Sequence, residues 1–188
     1  MRPIVYLHGF NSSPDSKKTA ALKRYLERGG QGERYHCPKL SHRPSEAMRD
    51  LEALLARLGE FALIGSSLGG FYATHLTERH GCKAVLVNPA VRADRLLAPF
   101  VGPQTNLYSG EKYDFTPGHV ADLSALVPRK PLSVARYWLL VESGDATLDY
   151  REAVAHYAGS RQTVIEGGDH GFQSWDRLLP EVVEWLSR

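Results

Sequence analysis

Phe61-Ala62-Leu63-Ile64-Gly65-Ser66-Ser67-Leu68-Gly69-Gly70-Phe71-Tyr72-Ala73-Thr74 is the stretch on which the reading of this chain turns. A short apolar run leads into Gly-x-Ser-x-Gly, and a segment of helical character follows. Strand, sharp turn and helix, in that order, form the setting in which the middle serine of this pattern does chemistry. The turn pushes Ser67 into a strained, exposed position, and glycines at both ends leave room for the backbone to fold back on itself. The following helix brings its positive N-terminus near the hydroxyl, where a developing oxyanion is stabilised. Ser67 is therefore the candidate nucleophile. The alternative is a Gly/Ser-rich turn with no chemical role.

Outward from Ser67, strand-like runs alternate with amphipathic segments. Strand candidates lie at 3–7, 33–37 (a weak one), 61–65, 83–87, 136–142 and 161–165. Several are near-continuous apolar runs, as strands buried on both faces should be. Between them, Ala20-Ala21-Leu22-Tyr25-Leu26 has helical spacing and stops at Gly29-Gly30, and Met48, Leu51, Leu54, Leu55 and Leu58 recur at helical intervals over 45–58. A further helix runs from Ser67 to His80. Another opens at Asp149, an N-cap with Glu152 three residues on, and the last covers part of 174–187, with Pro180 expected in a first turn or at a kink. This alternation predicts an α/β fold of about six mostly parallel strands with helices on both faces.

Residues 92–131 break the rhythm. They are rich in Pro and Gly and contain Leu96-Leu97-Ala98-Pro99-Phe100 and a short helix candidate at His119 to Leu126. Long insertions near a sheet's carboxyl edge are usually functional. This one is read as a small cap over the site, a packed connection being the alternative. With 188 residues the chain fits a single domain, 1–188, able to bury roughly 70% of the surface its unfolded form exposes.

A formal net charge of +2, with basic residues spread along the chain, does not point to nucleic acid or a membrane surface. No stretch reaches the length of a membrane span, and Met1 to Leu7 enters a strand without an apolar leader. Cys37 and Cys82 form no C-x-x-C and read as small buried residues in a reducing compartment. A cytoplasmic protein is expected. No metal-ligand spacing occurs among the histidines and carboxylates, so neither metal nor cofactor is expected.

A serine hydroxyl needs a base, and the base needs an orienting group. Of eight histidines, His170 in Glu166-Gly167-Gly168-Asp169-His170-Gly171-Phe172 follows the last strand on a glycine-flanked loop that can reach the sheet edge. The acid should follow the penultimate strand, where Asp145 and Asp149 compete. Asp149 has work enough as an N-cap, so Asp145 is favoured. Asp169 adjoins His170 and should diverge from it, and Glu142 should end the strand as a solvated residue. The oxyanion donors should be the N–H of Leu68, after the nucleophile, and of Phe10, in the loop Leu7-His8-Gly9-Phe10-Asn11 after the first strand. His8 reads as a loop-bonding residue rather than a second base. Phe10, Asn11 and Arg92 are candidates for substrate contact.

Tyr6-Leu-His-Gly-Phe-Asn-Ser-Ser-Pro14, Gly65-Ser-Ser-Leu-Gly-Gly-Phe-Tyr-Ala-Thr74, Val87-Asn-Pro-Ala-Val-Arg92, Gly144-Asp-x-x-Leu-Asp-Tyr150 and Arg161-Gln-Thr-Val-Ile-Glu-Gly-Gly-Asp-His170 together resemble the YqiA-like bacterial esterases, nearly end to end. That resemblance implies a small α/β-hydrolase, without the two leading antiparallel strands of larger members and with strand order 2-1-3-4-5-6. It implies activity on short-chain esters and acyl-CoA thioesters, and it supports Ser67, Asp145 and His170 as nucleophile, acid and base. Asp169 departs from the family, which has asparagine there.

The expectation is a serine esterase acting through an acyl-enzyme on a small acyl ester or acyl-CoA. Arg92 and the basic pair Arg129-Lys130 could hold a CoA phosphate, with solvated or structural roles as the alternative. A rival of another class is a non-catalytic binding or scaffold protein that keeps the fold.

Overall fold

The computed structural model describes residues 2–127 and 130–188. Six parallel strands form one sheet: β1 (Ile4–Leu7), β2 (Tyr35–His36), β3 (Ala62–Ser66), β4 (Ala84–Val87), β7 (Tyr137–Glu142) and β8 (Arg161–Ile165), in the order β2-β1-β3-β4-β7-β8. Counted within the sheet, this is the expected order 2-1-3-4-5-6. The weak strand candidate survives as two residues only.

Strand sequences explain both faces. Along β1 and β3, Ile4, Tyr6, Ala62 and Ile64 enter one apolar cluster, while Val5, Leu7 and Leu63 enter the other. Period-two alternation thus sends apolar side chains both ways, and helices must cover each face. On the Ile4 side lie α1 (Lys17–Arg28), with Leu22 and Leu26, and α7 (Trp175–Ser187), with Leu179, Val182 and Leu186. On the Val5 side lie α2 (Pro44–Leu58), α3 (Leu68–His80) and α6 (Tyr150–His156). Each fully buried leucine or isoleucine there contributes about 1.5–3 kcal/mol.

Pro180 lies in the second turn of α7, not its first. The missing N–H costs one helix bond. Burial of Leu179, Val182, Val183 and Leu186 on either side of it offsets that loss, since packing rather than propensity supplies most helix stability in proteins.

The segment read as an insertion contains more than one short helix. It holds α4 (Ala93–Leu97), an antiparallel hairpin of β5 (Gly102–Thr105) and β6 (Lys112–Phe115), and α5 (Pro117–Ala125). Alternation in Lys112-Tyr113-Asp114-Phe115 is too brief to separate from loop in the sequence, and Gly102-Pro103 conceals the partner strand. Leu97, Phe115 and Leu123 join the core beneath α2 and α3.

Register decides where chemistry can collect. Leu7 pairs with Gly65, Ser66 with Val87, Val87 with Leu140, and Glu142 with Ile165. The chain therefore leaves β1, β3, β4, β7 and β8 along one carboxyl edge, the position at which open α/β sheets bind their ligands.

Candidate active site

Ser67 joins β3 to α3 with φ 56° and ψ −121°, a conformation that costs a non-glycine residue roughly 1–3 kcal/mol. Its surroundings hold it there. Its N–H donates to Val87 O (3.1 Å), and its carbonyl accepts from Gly70 N (2.9 Å) and Ala90 N (3.1 Å). Close approach explains the flanking glycines: a Cβ on Gly65 would stand 2.4 Å from Gly69 O, and one on Gly69 would stand 1.9 Å from Leu7 O.

The structure brings the three predicted side chains together. His170 Nε2 lies 3.1 Å from Ser67 Oγ, and His170 Nδ1 lies 2.7 Å from Asp145 Oδ2. An imidazole carrying its proton on Nδ1 donates to the carboxylate and accepts from the serine hydroxyl. Asp145 is aimed by a turn of its own, because its Oδ1 accepts the N–H groups of Thr147 (2.8 Å) and Leu148 (2.9 Å). Its side chain is 1% exposed and that of His170 is 32% exposed, so the acid is sealed beneath a base that reaches solvent. Asp149 instead caps α6, accepting from Arg151 N (3.0 Å).

Beside Ser67 runs the loop after β1. A Cβ on Gly9 would be 3.2 Å from Ser67 Cβ and 3.7 Å from its Oγ, so this backbone passes directly against the hydroxyl. His8 ties the loop down. Its Nδ1 donates to Gly9 O (3.0 Å) and its Nε2 accepts from Leu40 N (3.2 Å), while burial keeps its pKa below the ordinary histidine value. Leu68 is the first residue of α3, and its N–H is among the helix donors that have no acceptor within the helix.

Two hollows meet at this point. One of about 230 Å³ is lined by Ser67, His170, Ser12, Lys18 and Tyr108. Across the Gly9–Phe10 ridge a cavity of about 380 Å³ has an apolar floor of Leu68, Tyr72, Leu97, Phe115 and Leu123 and a polar mouth at Lys39, His42 and Glu111. Phe10 borders both and meets Phe115 and Phe100 edge-on, at 5.4 and 6.1 Å between ring centres.

Other predicted contacts fall elsewhere. Asn11 borders the larger cavity, but its side chain is engaged: Oδ1 accepts from Tyr113 OH (2.6 Å) and Nδ2 donates to Gln104 Oε1 (3.2 Å). It fastens the β5–β6 hairpin to the loop beside Ser67. Arg92 is not brought to the site; it grips Asp94 through Nε (2.9 Å) and Nη2 (2.6 Å) and borders a separate hollow with Leu96 and Glu152. Arg129 lies outside the described residues, and Lys130 is exposed. Cys37 and Cys82 are half-buried, and burial pushes the Cys37 thiol up to about 11, so it is no thiolate at neutral pH.

Glu142 overturns its sequence reading. It is fully buried, not solvated. Burial alone would raise its pKa, yet the N–H groups of Asp169, Ser174 and Gln173, with the Ser174 side chain, outweigh that effect and lower it. Strand periodicity cannot reveal such a role, because those donors come from a segment some thirty residues further along the chain. Asn88, directly after β4 with φ 40°, was also missed; an Asn at a strand end, a residue type that tolerates φ above zero, was the available signal.

Among the described residues no group of three or more His, Cys, Asp or Glu side chains could hold a metal ion, and no helix is long and apolar enough to cross a membrane.

A family model described as "Uncharacterised protein family (UPF0227)" matches residues 3–187. Among solved structures the chain is similar to a protein of Agrobacterium vitis S4 described as a candidate hydrolase, with a TM-score of 0.74 at 20% identity over 98% of this chain and 88% of that one. It is also similar to mouse alpha/beta hydrolase domain-containing protein 10, with a TM-score of 0.71 at 17% identity over 98% and 89%. Monoacylglycerol lipase of Paleococcus ferrophilus is a third, with a TM-score of 0.64 at 17% identity over 98% and 95%. The fold is that of the α/β-hydrolases.

Proposed function

The chain belongs to the UPF0227 family, the YqiA-like group that its sequence resembles, and we propose that it is a serine hydrolase that cleaves acyl esters through an acyl-enzyme. The observation that carries this reading is the unbroken line from buried Asp145 through His170 to the strained Ser67. Esterase and lipase names among structures of the same fold agree with it.

His170 Nε2 takes the proton as Ser67 Oγ attacks the acyl carbon. Asp145 holds the imidazole with its proton on Nδ1 and stabilises the imidazolium. The N–H groups of Leu68 and Phe10 receive the oxyanion of the tetrahedral intermediate. His170 then returns the proton to the departing alcohol or thiol, and a water molecule, activated by the same imidazole, releases the acid and restores Ser67. The leaving group departs on the His170 side, so the smaller hollow takes it. The acyl chain then lies over Leu68, along the apolar floor of the larger cavity. Residues 92–127 form the cap, which supplies Leu97, Phe115 and Leu123 to that floor.

Oxygen esters and acyl-CoA thioesters call for the same catalytic set, so both belong to the proposal. Incubation with a fluorophosphonate probe and assay on p-nitrophenyl butyrate test it. Wild-type protein should label at Ser67 and turn over, and Ser67→Ala should do neither. Absence of both in folded wild type would leave a non-catalytic binding module. Comparing kcat/KM for butyryl-CoA with that for the ester ranks the two substrate classes.

A further inference from the structure

Side chains from elsewhere hold six backbone groups of the loop that carries His170: the N–H groups of 169, 173 and 174 and the carbonyls of 169, 170 and 171. Glu142, at the end of β7, accepts the N–H of Asp169 (2.9 Å) and of Gln173 (2.9 Å) on Oε2, and that of Ser174 (2.8 Å) on Oε1. Asn88, at the end of the neighbouring β4, donates from Nδ2 to the carbonyls of Asp169 (3.0 Å) and His170 (3.3 Å). Asn88 Oδ1 in turn accepts the N–H of Glu142 (3.0 Å), which locks the two residues together. Lys18 Nζ donates to Gly171 O (2.8 Å), and Phe172 is buried in the core beneath.

Glu142 is 0% exposed and makes no ion pair among the described residues; the N–H groups of Asp169, Gln173 and Ser174 and the Ser174 side chain meet its charge. The loop wraps tightly around it. Gly168 has φ 69°, and a Cβ there would stand 2.0 Å from Glu142 Oε2. Burying a carboxylate is costly unless donors surround it, and a carboxylate that accepts several N–H groups makes strong, charge-assisted bonds. Three residues further on, the same strand end presents Asp145. One short segment therefore fixes both the orienting acid and the backbone of the base.

We propose that Glu142, with Asn88, is a positioning residue that sets the distance between His170 and Ser67 by clamping the backbone on both sides of the imidazole. This rests on Ser67, His170 and Asp145 being the reacting set, and Glu142 itself touches none of the reacting atoms. Proton transfer depends steeply on distance, so a loop free to shift by an ångström loses rate without losing substrate affinity.

Three variants test the clamp. Glu142→Gln keeps the shape but points an NH2 group at one of the three N–H donors. Asn88→Asp keeps the acceptor for Glu142 N–H but turns an oxygen toward the carbonyls of Asp169 and His170. Each is assayed on p-nitrophenyl butyrate, labelled with a fluorophosphonate and followed by amide hydrogen exchange over 169–174. The clamp requires kcat and labelling rate to fall together by about 100-fold with KM within about twofold, and exchange at those amides to speed up. Glu142→Ala, which leaves three donors unmet, should be the slowest of all. Wild-type kcat in a folded variant, or equal losses in kcat and 1/KM, would overturn the proposal, and so would unchanged exchange. Should Glu142→Gln fail to fold, Asn88→Asp decides by the same readouts. Wild-type protein that neither turns over nor labels would defeat the hydrolase reading instead, leaving the exchange arm to judge the clamp.

Discussion

Gly69 sits so close to the end of β1 that any Cβ on it would lie 1.9 Å from the carbonyl oxygen of Leu7. Helix α3 thus begins in contact with the strand whose outgoing loop flanks Ser67. Gly69→Ala should push α3 off that strand and destabilise the protein by about 3 kcal/mol or more. A fall in the urea midpoint checks this, and wild-type stability in the variant would mean that the close approach is not there.

Ser67 carries the opposite prediction. Glycine adopts φ near +56° without strain but loses more chain entropy on folding. Ser67→Gly should therefore raise stability by about 1 kcal/mol while abolishing hydrolysis. Thermal unfolding and an ester assay on the same preparation read both effects.

Loss of Ser67 or of His170 should each lower kcat by about 10⁵–10⁶, and the double variant should be no worse than either single one. Asp145→Asn should leave the fold intact and cost about 10⁴ through the wrong imidazole tautomer. Additive losses in the double variant would contradict a shared proton path.

Acyl selectivity should respond to the cap. Leu123, on α5, borders the larger cavity, and Leu123→Phe should narrow its apolar floor. The ratio of kcat/KM for p-nitrophenyl octanoate to that for the butyrate should fall by about tenfold, the scale on which hydrophobic pockets discriminate methylenes. A uniform loss on both esters would place the acyl chain elsewhere.

His8 links stability to pH. Burial holds its folded pKa below the unfolded value of about 6.5, and its Nε2 must stay unprotonated to accept from Leu40. Below that pH the unfolded chain binds a proton that the folded chain refuses. Stability is therefore whole above about 6.5, falls as pH drops through the unfolded value, and levels off beneath the folded one. His8→Gln, whose side-chain carbonyl can still accept from Leu40, should flatten this dependence by up to about 1.4 kcal/mol per pH unit, as read by urea unfolding between pH 7 and 5.

Much of the site was legible in the chain because its parts are local. Gly65 to Gly69 specify a turn that only glycines can close, the Gly-Gly before Asp169-His170 announces a loop able to wrap, and Asp149 could be set aside because capping is decided within four residues. Glu142 was misread and Asn88 passed over for a common reason. A strand end shows its own periodicity but not the N–H groups that a distant loop will deliver to it. The β5–β6 hairpin escaped notice because four-residue strands leave too little alternation to register.

Near-continuous apolar runs in β1, β3, β4 and β7, together with helical spacing between them, were enough to set the layers, since burial on both faces of a parallel sheet is a local compositional demand; the strand order followed from the family resemblance. Convergence of positions 67, 145 and 170 had to await the register of the strands, which brings their carboxyl ends to one edge. Which carboxylate is sealed, which arginine is already spoken for by Asp94, and which hollow borders Ser67 were decided by packing alone. Those outcomes depend on distances between segments that no stretch of sequence contains.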